Sequence, residues 1–145
     1  MEKVYLASPF FHKFERNTMK RILKVLRASG YEVFAPFEMV IDNAWNMPNH
    51  EWGEKVFCAD MDHLKDADIV LAVNYGLYSD TGTAFEIGFA YSLSKTIFTV
   101  NFEGATDSLM IDNAVNGMIS AEYFRTHDFI NLDDFWDKRI YNEQK

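Results

Sequence analysis

Hydrophobic and polar positions along the chain follow two rhythms in turn, short apolar runs and helix-spaced apolar residues, and this order predicts a parallel sheet with helices between its strands. Val4-Tyr5-Leu6-Ala7 is a continuous apolar run suited to a buried strand, and Ser8-Pro9-Phe10-Phe11 ends it, because proline cannot extend a central strand. Across residues 14–29, Met19, Ile22, Leu23, Val25 and Leu26 recur at helical spacing among lysines and arginines, and Gly30 stops the helix. A second strand is expected over 31–35, closed by Pro36. The next helix begins at Glu51, with Val56, Phe57, Met61 and Leu64 on its buried side. A third strand covers Ala67-Asp68-Ile69-Val70-Leu71-Ala72-Val73, and a helix follows in which Ile87, Phe89, Ala90, Tyr91 and Leu93 are apolar. Thr96-Ile97-Phe98-Thr99-Val100 is the fourth strand, and a short apolar helix starting near residue 107 runs toward Met118. Phe129-Ile130-Asn131-Leu132 is the candidate fifth strand, before a last helix with Phe135, Trp136 and Ile140. Without a repeat or linker, residues 1–145 are expected to form one α/β domain, a doubly wound parallel sheet of about five strands.

The stretch over 37–50 breaks both rhythms. It is irregular yet carries Met39, Val40, Ile41, Trp45 and Met47, so it either folds over a pocket as a lid or packs on another subunit.

Composition narrows the classes of function. Hydrophobic residues are 48% and charged residues 25%, which is globular composition. The net charge of −8 disfavours a phosphate-backbone partner, so no nucleic acid is expected. No apolar run approaches the ~20 residues that cross a bilayer, and Met1-Glu2-Lys3 enters a strand directly, so a cytoplasmic protein without a membrane partner is expected. Cys58 stands alone and is expected to be a small buried apolar residue. His12, His50, His63 and His127 lack metal-ligand spacing, so no metal site is predicted, and with no flavin phosphate cradle in the first loop no cofactor is predicted either.

The candidate chemistry gathers at Asp80-Thr81-Gly82-Thr83-Ala84-Phe85-Glu86-Ile87-Gly88, between the third strand and its helix. Open α/β sheets place their ligands at the carboxyl ends of strands, and Gly82 with its threonines is expected to turn the backbone tightly there. Asp80 suits a helix cap as well as chemistry. Glu86 sits among small apolar residues, poor surroundings for a surface charge, and the helix dipole is expected to keep it ionised. Asp60 lies one turn from both Val56 and Leu64, near a buried side, where an acid needs a reason to be. Displacement at the anomeric carbon of a sugar requires a pair of acids, one ionised as nucleophile and one protonated to aid the leaving group, and Asp60, Asp80 and Glu86 are the candidates. Tyr5 on the first strand could orient the nucleophile by a hydrogen bond, and one of Phe10 and Phe11 is expected to face the pocket.

Tyr5-Leu6-Ala7-Ser8-Pro9-Phe10-Phe11, Glu51-Trp52-Gly53, the helix bearing Asp60, the stretch from Asp80 to Gly88, and Leu109-Met110-Ile111 together resemble the nucleoside 2-deoxyribosyltransferase family, in order and over most of the chain. The resemblance implies a flavodoxin-like fold and transfer of 2-deoxyribose between free nucleobases on 2′-deoxynucleosides. It implies that Glu86 forms a covalent deoxyribosyl intermediate, that Asp80 and Asp60 bind the base and move its proton, and that Tyr5 holds Glu86 in line. Phe10, Phe11, Trp52, Gly82, Ser108 and Met110 are the substrate-binding candidates carried over with it. It also implies a homo-oligomer built from dimers, whether dimer, tetramer or hexamer, with each active site completed by a neighbouring subunit. Residues 115–124 are a candidate interface.

Two positions depart from the family pattern. Ser108 stands where transferases commonly have asparagine, and related nucleotide N-glycosidases tend to have serine there, which leaves a hydrolase of nucleosides or 5′-nucleotides as the alternative. Glu38-Met39-Val40 replaces an amide that reads the base, so base preference does not carry over. Against nucleotides, Ser8-Pro9-Phe10-Phe11 offers a phosphate neither glycine amides nor an arginine. A non-catalytic nucleotide-binding module is a further alternative that the fold alone would permit, and the first loop lacks the cradle of a flavin site.

Overall fold

The computed structural model describes residues 1–76, 80–102 and 108–138. Its strands are β1 (Lys3–Ala7), β2 (Glu32–Phe34), β3 (Ile69–Asn74), β4 (Thr96–Asn101) and β5 (Gly117–Ser120). All are parallel, in the order β2-β1-β3-β4-β5, which is the flavodoxin-like arrangement. The inner strands are continuous apolar runs because helices cover both of their faces. β2, at one edge, is short and only half buried.

The helices are α1 (Lys13–Ala28), α2 (Asn49–Asp66), α3 (Thr81–Ser92), α4 (Leu109–Ala114) and α5 (Ala121–Thr126). On one face, Met19, Ile22 and Leu26 of α1 and Phe124 of α5 pack against Val4, Leu71 and Phe98. On the other, Met61 and Leu64 of α2 and Ile87 and Ala90 of α3 pack against Tyr5, Val70 and Ile97. The chain leaves β1 toward α1 and leaves β3 toward α3, on opposite faces, so a crevice opens between the carboxyl ends of β1 and β3. Gly30, just past α1, has φ +92, a left-handed conformation in which glycine carries no Cβ penalty. Among the described residues no helix is long and apolar enough to cross a membrane.

Several expectations are corrected. The fifth strand is Gly117–Ser120 and not 129–132, and the helix expected to run toward Met118 ends at Ala114. The reason is local. The amide of Ile130 donates to Ser29 Oγ at 2.8 Å and that of Leu132 to Tyr31 Oη at 3.0 Å, so side chains of other elements take the bonds a ladder would need. Ile130 and Leu132 are buried as plugs, and only a short 3-10 turn, Leu132–Phe135, follows; Ile140 lies outside the described residues. Val115, Met118, Ile119, Ala121 and Phe124 are buried within the chain itself, so residues 115–124 are not a free interface. Cys58 is exposed, and Phe57 faces outward with 54% exposure, because the buried stripe of α2 passes through Met61 and Leu64 instead.

Candidate active site

Tyr5 and Ala7 point to the α2/α3 face of the sheet, since alternate residues of a strand share a face. Tyr5 is fully buried, and its hydroxyl donates a hydrogen bond to Glu86 Oε2. Burial pushes the Glu86 carboxyl up to about 7; the bond from Tyr5 works against this, and the charges of Asp60 and Asp80 add to it. The expectation that the helix dipole keeps Glu86 ionised is therefore corrected. Glu86 lies beyond the first turn of α3, where the dipole has faded and desolvation dominates. Burial, then the Glu86 charge and the hydrogen bond to it, raise the Tyr5 phenol, which stays a protonated donor.

Asp60 reaches the same corner from α2. Burial pushes it up to about 6, opposed by the charge of His63. Its Oδ1 is enclosed and has no hydrogen-bond partner among the described residues. An unpaired buried acceptor is costly in a resting fold and is explained where a ligand supplies the donor.

Asp80 caps α3, its Oδ2 accepting from Thr83 N at 2.9 Å and Thr83 Oγ1 at 3.1 Å. Capping and a charge acting on Glu86 are both present in this one residue. Gly82 does not form the tight turn expected of it. It lies inside α3, and a Cβ there would stand 3.0 Å from Asp80 Oδ2, so its bareness leaves room for that carboxylate.

A cleft of about 510 Å³ opens beside Asp60, walled by Phe10, Phe37, Met39, Trp45 and Trp52. The irregular stretch over 37–50 thus borders the cleft as two 3-10 turns, Pro36–Glu38 and Ala44–Asn46. Phe10 lines the cleft, while Phe11 stacks on Phe10 at 5.7 Å and faces solvent, so the two rings lie side by side rather than on opposite sides. Glu38 turns away into a fork with Arg27, at 2.5 and 3.1 Å, which holds its carboxyl below the usual range and leaves Met39 and Val40 at the cleft. The Arg16 guanidinium donates to the carbonyls of Phe10 and Phe11, at 3.2 and 2.9 Å, and so fixes the first loop.

Ser108 and Met110 are not brought to this cleft within one chain. Ser108 caps α4, its Oγ accepting from Ile111 N at 3.2 Å. Met110 is 82% exposed and borders a separate groove of about 260 Å³ with Ile87, Gly88 and Tyr91. Sequence spacing did not single out Phe37, Arg16 or the ring of His63. For Arg16 and His63 the signal was position, one at the start of α1 beside the first loop and one a turn beyond Asp60.

Fold and crevice define a doubly wound α/β protein whose half-buried glutamate, held by a tyrosine and flanked by two acids, suits displacement at a sugar carbon. Residues 4–121 match the family model for nucleoside 2-deoxyribosyltransferase, and the chain belongs to that family, an enzyme of nucleoside deoxyribosyl transfer or glycosidic cleavage. The 2-deoxyribosyltransferase of the psychrotolerant bacterium Bacillus psychrosaccharolyticus shares 29% identity and superposes with a TM-score of 0.79, over 96% of this chain and 99% of that one. The Leishmania mexicana 2-desoxiribosyltransferase is 18% identical with a TM-score of 0.62, over 88% of this chain and 99% of the other, and supports the fold. So does the Clostridium botulinum CMP N-glycosidase, 21% identical with a TM-score of 0.59, over 86% and 96% of the two chains. No curated protein sequence matches the chain.

Proposed function

We propose that the enzyme moves 2-deoxyribose between nucleobases on 2′-deoxynucleosides by two displacements at Glu86. Glu86 bonds to C1′ through its oxygen as the bond from C1′ to the base nitrogen breaks, and Asp60 or Asp80 gives the departing base its proton. A second base then attacks C1′, the ester to Glu86 breaks, and the proton returns to the acid. Two inversions retain the configuration. Phe10 and Trp52 pack the base and sugar, and Phe11 backs Phe10 from the solvent side.

The observation that carries this reading is the bond from buried Tyr5 to Glu86 Oε2, which leaves Oε1 for carbon while Asp60 stands close enough to act on both groups. Nucleosides are favoured over 5′-nucleotides. The cleft beside Asp60 has acids but no lysine or arginine among its described lining, and Arg16 is committed to backbone carbonyls. Each site is completed by a second copy that brings Ser108 and Met110, which accounts for their distance from Asp60 within one chain.

Incubation with deoxyinosine and adenine should yield deoxyadenosine, and Glu86→Ala should abolish it. Mass spectrometry of protein quenched in turnover should find a deoxyribose adduct on Glu86. Release of hypoxanthine and free deoxyribose alone would make the enzyme a hydrolase through the same glutamate, the reading Ser108 favours. An adduct elsewhere would remove Glu86 from the mechanism.

A further inference from the structure

Behind the crevice, the ring of His63 lies flat on Phe34, with centroids 3.7 Å apart and planes 10° from parallel. Phe34 in turn meets Tyr5 at 5.6 Å, and Tyr5 carries the hydroxyl that holds Glu86. Two ring contacts therefore connect an exposed histidine to the side chain that fixes the half-buried carboxylate. His63 also stands three residues after Asp60 on α2, the spacing at which helical side chains are neighbours.

We propose that His63 is a positioning residue of this site, its ring clamping Phe34 against Tyr5 and its charge bearing on the Asp60 carboxylate. Asp60 Oδ1 has no hydrogen-bond partner among the described residues, so the charge acts through space. The ionisable groups around this corner are Tyr5 of β1, Glu86 of α3, Asp80 at the cap of α3, and Asp66 of α2, which is bound to Lys3 of β1 at 2.7 Å. Of the charges that act on Asp60, the cation is that of His63, and it favours the ionised form, whereas burial opposes it. His63 thereby acts on the acid beside the base. Its effect on turnover rests on the deoxyribosyl-transfer reading; its effect on Asp60 does not.

Two variants separate the halves. His63→Phe keeps a ring on Phe34 and loses the charge, and His63→Ala loses both; because the side chain is exposed, both are expected to fold, which melting curves check. The Asp60 carboxyl is followed by 13C NMR, assigned by the signal lost in Asp60→Asn, and base exchange is followed by chromatography. The wild-type midpoint, about 6, should move to higher pH in both variants. In His63→Phe turnover should keep its height while its pH profile follows the raised Asp60 midpoint, and in His63→Ala it should also fall on the order of tenfold, as expected when a reacting group loses its alignment. An unmoved midpoint in both variants overturns the charge effect, and unchanged turnover in His63→Ala overturns the clamp. The titration needs no substrate, so a moved midpoint in an enzyme that exchanges no bases sinks the transfer reading while the action on Asp60 stands.

Discussion

Glu86 occupies a place that favours its neutral form, and one hydrogen bond works against that preference. The bond from Tyr5 stabilises the carboxylate, while burial and two neighbouring acids oppose it. Turnover that needs the Glu86 carboxylate together with a protonated Asp60 should therefore peak between about 6 and about 7, and Tyr5→Phe should lower that peak and move its falling arm to higher pH. A hydrogen bond to a charged group contributes about 1.5–3 kcal/mol, so the rate at pH 7 should fall tenfold to a hundredfold. A pH–rate profile identical to wild type would show that Tyr5 does not hold the nucleophile. The same residue ties function to stability. A carboxyl whose folded value is raised above its unfolded one contributes stability that is fully present below the ordinary glutamate range and is lost as pH rises through the folded value. Glu86→Gln, neutral at every pH, should therefore raise Tm at pH 8.5 and leave it nearly unchanged at pH 4. An equal shift at both pH values would mean that packing, and not charge, is responsible.

At the level of elements, what could be foreseen from sequence was whatever local chemistry dictates. The apolar runs of β1, β3 and β4 and the buried stripe of α1 fall within a residue or two of their expected places, because double-sided burial and helical spacing leave direct marks. The Asp80 cap was visible for the same reason. What escaped depends on distant partners. Nothing in Phe129-Ile130-Asn131-Leu132 announces that Ser29 and Tyr31 will take its amides, and nothing in Gly117 announces β5. There a Cβ would stand 1.9 Å from the Phe135 carbonyl oxygen, a clash with backbone that no side-chain motion relieves. Gly117→Ala should consequently cost at least about 2 kcal/mol in urea melts; stability equal to wild type would mean that the turn over Leu132–Phe135 yields freely. The acids of the site could be read as candidates, but their grouping could not. It follows from the opposite departures of the chain from β1 and β3, which bring α2 and α3 over one corner.

For the molecule as a whole, the unsolved quantity is apolar surface. Phe57 and Phe85 meet at 6.2 Å on the outside of α2 and α3, and Leu109 and Met110 stand 77% and 82% exposed at the start of α4. Exposed apolar surface of this kind marks an interaction site on a monomer, and Met110 carries it into the groove beside Gly88. A second copy seated on this face would bury it and carry Ser108 toward the partner's acids, whereas residues 115–124 are consumed by the core of their own chain. Met110→Glu should then shift the protein toward monomer in sedimentation and reduce base exchange together with it, while far-ultraviolet circular dichroism stays unchanged, because an exposed side chain supports no core. Full activity in a monomeric Met110→Glu variant would show that one chain suffices. An unchanged assembly with unchanged activity would place the interface on another face.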